Sequence, residues 1–313
     1  MSRESRTKGK KSSKFFIYLV MMIVLLVVLI ALIGVMLYQQ WRNNQMEENF
    51  SELRTETTTE EPMEVIAVTE TEIDGTESVV TMTLGIPQLE LDWDAILAEN
   101  SDIYAWIYIP NTNVDYPVLQ HPTEDSYYLS HNLDGSEGYP GCIYTNLSNS
   151  KEFTDSVTVL YGHNMRNGTM FRTLHYFEEE DFFNENEYIY VYLPDGEVLV
   201  YLIYSAGTYS DLHIINNFGC DAKGLKAFLA DFEDSTQMST HTRDGVEIDY
   251  KTDRVIVLST CIGGQDTRRY LVQGVVIYDG VPDGESVEVE VDETSLVDDT
   301  ADEPEEETGE AVE

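Results

Sequence analysis

Positive charge is scarce in this chain. Its 313 residues hold 18 Lys and Arg against 58 Asp and Glu, a formal net charge of −40. Without a basic face to meet phosphates, nucleic-acid binding is excluded as an activity. Cysteine is scarcer, with Cys142, Cys220 and Cys261 the whole set and no CxxC among them. No two of the six histidines stand at H-x-x-x-H or HExxH spacing, and the D-x-D-x-D-G pattern of a calcium loop is absent. No metal site and no cofactor are therefore expected. An odd cysteine count leaves at least one free thiol unless chains pair with each other. Cys142, in the strand-like GCIY, reads as a small buried hydrophobe. Cys220 follows Phe218 and Gly219 in a loop and is a possible partner for it, a pairing that needs the right separation of the two Cα atoms. No internal repeat is visible.

What the chain does have is one long uncharged run, residues 15–38. At about 1.5 Å per residue it is long enough to cross a hydrocarbon core of about 30 Å. Arg3, Arg6, Lys8, Lys10, Lys11 and Lys14 precede it against the single Glu4. The positive-inside rule then keeps residues 1–14 in the cytoplasm and sends the rest outside. The run is too long for a typical signal-peptide core and no A-x-A site follows it, so an uncleaved anchor is expected.

Charge divides the remainder. Residues 1–42 carry +6, residues 43–90 carry −11, residues 91–279 carry −20 and residues 280–313 carry −15. Residues 39–90 are rich in Glu and Thr with no sustained period, the composition of an unstructured tether that its own charge extends. Residues 280–313 hold fifteen acidic residues and no basic one, and read as a disordered tail. The folded unit is expected over residues 91–279, and 42% hydrophobic content is ample for one core.

Within that unit short strands dominate. Residues 93–98 read as a short helix capped by Asp92, followed by alternating strands over 104–109 and 114–119. Pro194, Asp195 and Gly196 between two apolar alternations mark a hairpin. Leu225, Phe228, Leu229 and Phe232 recur at helical spacing, with Asp221 placed to cap. The pattern predicts a mostly β fold with inserted helices.

The chemistry concentrates in VIVLSTCIGGQDTRRYLVQGVVIY, residues 255–278. An apolar strand ends in Cys261, turn residues occupy 262–267, and a second strand begins at Arg269. A thiol is nucleophilic as its thiolate, and a neighbouring guanidinium favours that anion and can hold an oxyanion on an attacked carbonyl. A base is required as well. His163 supplies one, because residues 157–161 read as a strand that Gly162 ends just before it. The other five histidines stand in polar loops, beside turn or charged residues, or after a helix-like stretch. Arg268 and Arg269 point to opposite faces if both lie in the strand.

Three features taken in order, YGHNM around His163, STC ending in Cys261, and an arginine eight residues on, resemble the sortases, and class B in particular. The likeness runs from about residue 91 to residue 278 and includes NSDIYAWIYIPNTNVDYPVLQ and YYLSHNLDGSEGYPGCIYTN. It implies an eight-stranded β-barrel with a helix inserted before the cysteine-bearing strand. Because family members place the arginine directly before an apolar triplet, here Tyr270-Leu271-Val272, it favours Arg269 over Arg268. It implies a membrane-anchored cysteine transpeptidase acting outside the cell. Cys261 would attack the threonine carbonyl of a C-terminal sorting motif in a surface protein, Arg269 would hold the oxyanion, and His163 would serve as acid and base. Ser259 and Thr260 would line the substrate groove. A peptidoglycan amine would resolve the thioester. A lysine of a pilin subunit is the alternative acceptor, and a membrane-tethered binding module without catalysis is the alternative from another class.

Overall fold

The computed structural model describes residues 9–53, 63–73, 76–235, 240–282 and 287–288. It begins with a 44-residue helix, α1 (Gly9–Glu52). Side chains 15–38 are all exposed, and an 18-residue window of this helix reaches a mean hydropathy of 3.4. By length and composition α1 can cross a membrane. At about 25 cal/mol per Å² of apolar surface, exposing this run to water would be strongly unfavourable.

The helix does not stop at residue 38. Met46, Phe50 and Leu53 recur at spacings of four and three and pack on the domain, Phe50 with only 3% exposure. Arg42 Nη2 donates to Ser136 Oγ and to the Glu137 carbonyl, both at 2.8 Å, and Phe50 meets Tyr116 edge-on at 5.5 Å. Three apolar positions in an acidic run are too few to read as periodic, yet they suffice to dock two turns of helix. Strands β1 (Met63–Ile73) and β2 (Thr76–Ile86) follow as an antiparallel pair. Tyr190 Oη donates to the Gly85 carbonyl at 3.0 Å and Tyr192 Oη to the Pro87 carbonyl at 2.6 Å. The stretch expected to be an unstructured tether thus contributes packed structure, and the folded body begins before residue 91.

Helix α2 (Trp93–Glu99) opens the expected unit, and Asp92 Oδ1 accepts from Ala95 N at 3.0 Å. In chain order come β3 (Ile103–Tyr108), β4 (Asp115–Leu119), α3 (Tyr127–Ser130), β5 (Ile143–Thr145) and β6 (Val157–Tyr161). A 3₁₀ helix (Phe171–Glu178) and α4 (Glu180–Glu185) lead to β7 (Tyr188–Tyr192) and β8 (Val198–Ser210). Helices α5 (Ile214–Phe218) and α6 (Ala222–Ser235) precede β9 (His241–Thr242), β10 (Val255–Ile262) and β11 (Gln265–Gly280). The strands run β11-β10-β6-β5-β4-β3-β7-β8, and β8 pairs again with β11. This closes an eight-stranded barrel, as expected, with two-residue β9 appended to β8. The β10–β6 and β4–β5 pairs are parallel. A last short strand, β12 (Val287–Glu288), pairs in parallel with β1, so part of the expected acidic tail has backbone structure.

The two faces of β10 explain its unbroken apolar sequence. Ile256 and Leu258 point into the barrel core, while Val255 and Val257 belong to a second cluster with Leu225, Phe228 and Phe232 of α6. Strand alternation sends successive residues to opposite faces, and here both faces are covered. The inserted helix therefore packs on the outside of the β6–β10–β11 wall, and the open surface begins where that cover ends.

Candidate active site

The site is built by register. In the parallel β6–β10 pair Tyr161 lies opposite Ser259, and Gly162 N donates to the Ser259 carbonyl at 3.1 Å. Cys261 stands two residues beyond Ser259 on the same face of β10, and His163 lies two residues beyond Tyr161, just past the end of β6. Adjacent strands lie about 4.8 Å apart. On the other side of β10, Cys261 is the register partner of Arg269 in β11. The end of β10, the start of β11 and the segment just after β6 thus carry Cys261, Arg269 and His163, a row in strand order at one end of the sheet.

Local sequence forces this arrangement. A Cβ at Gly162 would lie 2.5 Å from Ile143 Cδ1 and 2.7 Å from the Phe171 ring, so only glycine lets β6 end there against the core. Gly264, with φ of +76°, makes the turn between β10 and β11. That turn is tighter than the expected 262–267, because Ile262 pairs with Gln265. Residues 266–268 then bulge out of the ladder between the Ile262–Gln265 and Cys261–Arg269 pairs. The Arg269 guanidinium folds back on this bulge, its Nη1 donating to the carbonyls of Asp266 at 3.1 Å and Arg268 at 2.9 Å. Arg269 is half-buried and Arg268 exposed, so the two adjacent arginines separate as strand alternation predicts.

The side chains around the row differ in burial and tautomer. The Cys261 thiol is exposed. His163 is half-buried against Tyr139, with ring centroids 5.0 Å apart, and its Nε2 donates to the Leu129 carbonyl at 2.7 Å. That bond puts the ring hydrogen on Nε2 and leaves Nδ1 as the basic nitrogen. Burial holds His163 below its usual 6.5, opposed by the bond to Leu129. At neutral pH it is an uncharged base.

Ser259 shares the outer face with Cys261 and is 6% exposed. Tyr161 beside it stacks on Tyr144 at 5.4 Å and approaches His213 at 5.2 Å, giving an aromatic wall that runs toward the thiol. Burial pushes Tyr144 up to about 12, and Cys261 and Arg269 both act on it, which places its hydroxyl near the row. Thr260, expected beside Ser259 in the groove, points the other way. It is the register partner of core Tyr270, is 2% exposed, and donates Oγ1 to the Gly162 carbonyl at 2.8 Å. One residue along a strand reverses the face, so Thr260 supports the barrel from within.

All three cysteines are free thiols. Cys142 leads into β5, which pairs with the Tyr161 end of β6, whereas the Cys220 carbonyl accepts from Val157 N at the opposite end of β6. At about 3.3 Å per residue the length of β6 separates them, too far for a disulfide. Burial raises the Cys142 thiol well above its usual range. Among the described residues no cluster of His, Cys, Asp and Glu is arranged to hold a metal ion. A cleft of about 970 Å³ lies between α1 residues such as Val35, Tyr38 and Arg42 and the segment Asn164, Met165 and Arg166 that follows His163.

A closed β-barrel that carries a histidine, an exposed thiol and an arginine at one end of three consecutive strands fits a cysteine enzyme of the acyl-transfer type. The family model of the Sortase domain matches residues 107–277. Sortase B of Listeria monocytogenes is 32% identical over 183 residues, covering 57% of this chain and 71% of that one. Sortase B of Staphylococcus aureus is 29% identical over 182 residues with the same coverage. The solved structure of Clostridium perfringens sortase B superposes with a TM-score of 0.52 at 29% identity, covering 59% of this chain and 99% of that one. The chain belongs to the sortase family of cysteine transpeptidases and is of class B.

Proposed function

We propose that this chain is a membrane-anchored transpeptidase in which Cys261, His163 and Arg269 carry the reaction on surface-protein substrates. The observation that supports this most is that these three residues come from the same end of three consecutive strands, with Cys261 and Arg269 as register partners and His163 just past the end of β6. The Cys261 thiol gives its proton to neutral His163, the resulting thiolate attacks the carbonyl carbon of a threonine in the sorting motif, and the oxygen takes the developing charge. Arg269 is half-buried and already braced by two carbonyls, so it meets that charge with little reorganisation. The C–N bond then breaks, the leaving amine takes a proton from His163, and a thioester joins the substrate to Cys261. An incoming amine of the peptidoglycan peptide gives a proton back to His163 and displaces the thiolate. Ser259 and the Tyr144–Tyr161 wall bound the groove in which the peptide lies. Thr260 acts only by holding Gly162.

Residues 15–38 serve as the membrane anchor, with basic residues 1–14 on the cytoplasmic side and the barrel outside. A substrate retained in the same membrane then meets the enzyme in two dimensions, which raises its effective concentration. The test is mass spectrometry of the full chain in detergent micelles with LPxTG-like and NPxTN-like peptides, with and without triglycine or diaminopimelate. A Cys261-linked acyl adduct that moves to one added amine names motif and acceptor together. Adducts that resolve only to water, or turnover that survives Cys261→Ala, would overturn the proposal.

A further inference from the structure

The end of β10 has a gap in its ladder at the nucleophile. Carbonyls along a strand point alternately to its two neighbours, and the Ser259 carbonyl accepts from Gly162 of β6. The next carbonyl on that side is that of Cys261. Its strand partner would be the main-chain N–H of residue 164, but β6 has ended at Tyr161 and the chain has turned, with Phe171 N bonded to the His163 carbonyl. Two side chains take the missing place. Asn164 Nδ2 donates to the Cys261 carbonyl at 2.7 Å, and His175 Nε2 lies 3.1 Å from the same oxygen.

Both are held in turn. Arg172 Nη1 donates to Asn164 Oδ1 at 3.1 Å. His175 Nδ1 lies 2.5 Å from Glu178 Oε1, and its ring stacks on Tyr270 with centroids 5.0 Å apart. Asn164 Nδ2 is also 2.9 Å from His175 Nε2. The network closes in either protonation state of His175. Protonated, it donates directly to the Cys261 carbonyl. Neutral, with its hydrogen toward Glu178, it accepts from Asn164, whose second amide hydrogen goes to that carbonyl. Tyr270 is a core residue and the partner of Thr260, so His175 lies on the opposite face from the thiol.

We propose that His175, oriented by Glu178, is a positioning residue that fixes the Cys261 peptide and so aims the thiol along the His163–Arg269 row. The inference rests on Cys261 being the nucleophile. A clamp is needed there because the β6 side of the ladder has ended, and beyond Ile262 a Gly263-Gly264 turn and a three-residue bulge leave the Cys261 backbone held on the β11 side alone, through its pairing with Arg269. His175 touches no reacting atom. Its loss should act on the chemical step and spare binding, since small misplacement of a reacting group alone costs on the order of 10²-fold.

The test uses the full chain in micelles, labelled with carbon-13 at the cysteine carbonyls, with the Cys261 resonance assigned by its loss in Cys261→Ser. In His175→Ala that resonance should move upfield as the carbonyl loses the hydrogen bond that His175 gives directly or holds in place through Asn164, and in His175→Gln, whose amide can donate and accept in the same place, it should return. Acyl transfer from the peptides above should show kcat down by about 10- to 100-fold in His175→Ala with KM within about twofold, and substantial recovery in His175→Gln. Glu178→Gln should fall between. An unmoved resonance in His175→Ala, or unchanged kcat, would overturn the proposal. So would His175→Gln matching His175→Ala in both readouts. If wild type turns over no peptide while the resonance moves as described, the clamp stands and the transpeptidase assignment to Cys261 is what fails.

Discussion

The two ends of the β6–β10 pair are made by the same two strands and do opposite things. At the Val157–Val255 end, barrel side chains fill one face and α6 covers the other, so Val255, Ile256 and Val257 have almost no exposure. At the His163–Cys261 end α6 no longer reaches, and the outer face opens on an exposed thiol. The first end holds the second still. Strand ends that leave a packed wall keep its register, which is how three side chains far apart in sequence come to stand in a row.

The sharpest way to separate the ends is to remove one side chain from each. Cys261→Ala should abolish acyl transfer, by a factor on the order of 10⁴ or more, while thermal unfolding stays near wild type because the side chain is exposed. Peptide turnover and a melting curve on the same sample check both halves. Phe228→Ala should do the reverse. Phe228 is fully buried between Tyr209, Phe218 and Phe232, and its truncation should cost about 3–5 kcal/mol of stability in denaturant titration. Activity per folded molecule should fall far less than the melting temperature. If Cys261→Ala lowered stability as much as Phe228→Ala did, the division into a structural and a chemical end would be wrong.

Smaller changes sharpen the open end. Arg269→Lys keeps the charge but loses the fork that the Asp266 and Arg268 carbonyls hold, and should lower kcat by about 10²-fold, whereas exposed Arg268→Lys should stay within about twofold. Steady-state kinetics on the two variants decide which arginine belongs to the row. Tyr116→Phe probes how α1 is tied to the site. Tyr116 Oη donates to Glu47 at 2.9 Å and accepts from Met170 N at 3.0 Å, and Met170 bridges Asn164. Burial raises Glu47 above its usual carboxyl value, opposed by this bond. The variant should cost about 1–2 kcal/mol by leaving a buried N–H without its acceptor, read by chemical denaturation in micelles.

Much of this was legible in residues. The capped helix at 93–99, the 188–202 hairpin, the α6 stripe and the strand that ends in Cys261 each carried a local signal of periodicity or turn chemistry that the fold keeps. Barrel closure was a different matter, since the β8–β11 pairing that shuts it joins segments distant in sequence, and resemblance rather than periodicity pointed to it. Docking of Met46 and Phe50 escaped because two apolar residues among glutamates read as tether until a surface is there to receive them. Thr260 was misplaced by one step of strand alternation. His175 stood out in sequence only as a histidine after a helix-like stretch, for a related reason: its partners, the Cys261 carbonyl and Tyr270, are brought to it only by the turn after His163.

His163 joins the two ends, because the burial that stabilises the wall also sets its proton affinity. Its folded-state value lies below 6.5, so between the unfolded and folded values the unfolded chain binds the proton and the folded chain does not. Stability that is fully present above about 6.5 is therefore lost as pH falls through the folded value. His213, also lowered by burial, adds a contribution of the same sign. His163→Gln keeps a donor for the Leu129 carbonyl and removes the titration, so it should flatten the acid side of the melting-temperature profile relative to wild type while His213 still titrates. The same variant should lose acyl transfer across the whole range, since an amide cannot move the proton. In wild type, activity should fall on the acid side only below the lowered value, later than an exposed histidine would allow. An acid limb of activity at or above 6.5, with a stability profile that His163→Gln leaves unchanged, would mean that the ring is solvated and that the open end reaches further down the wall than the packing indicates.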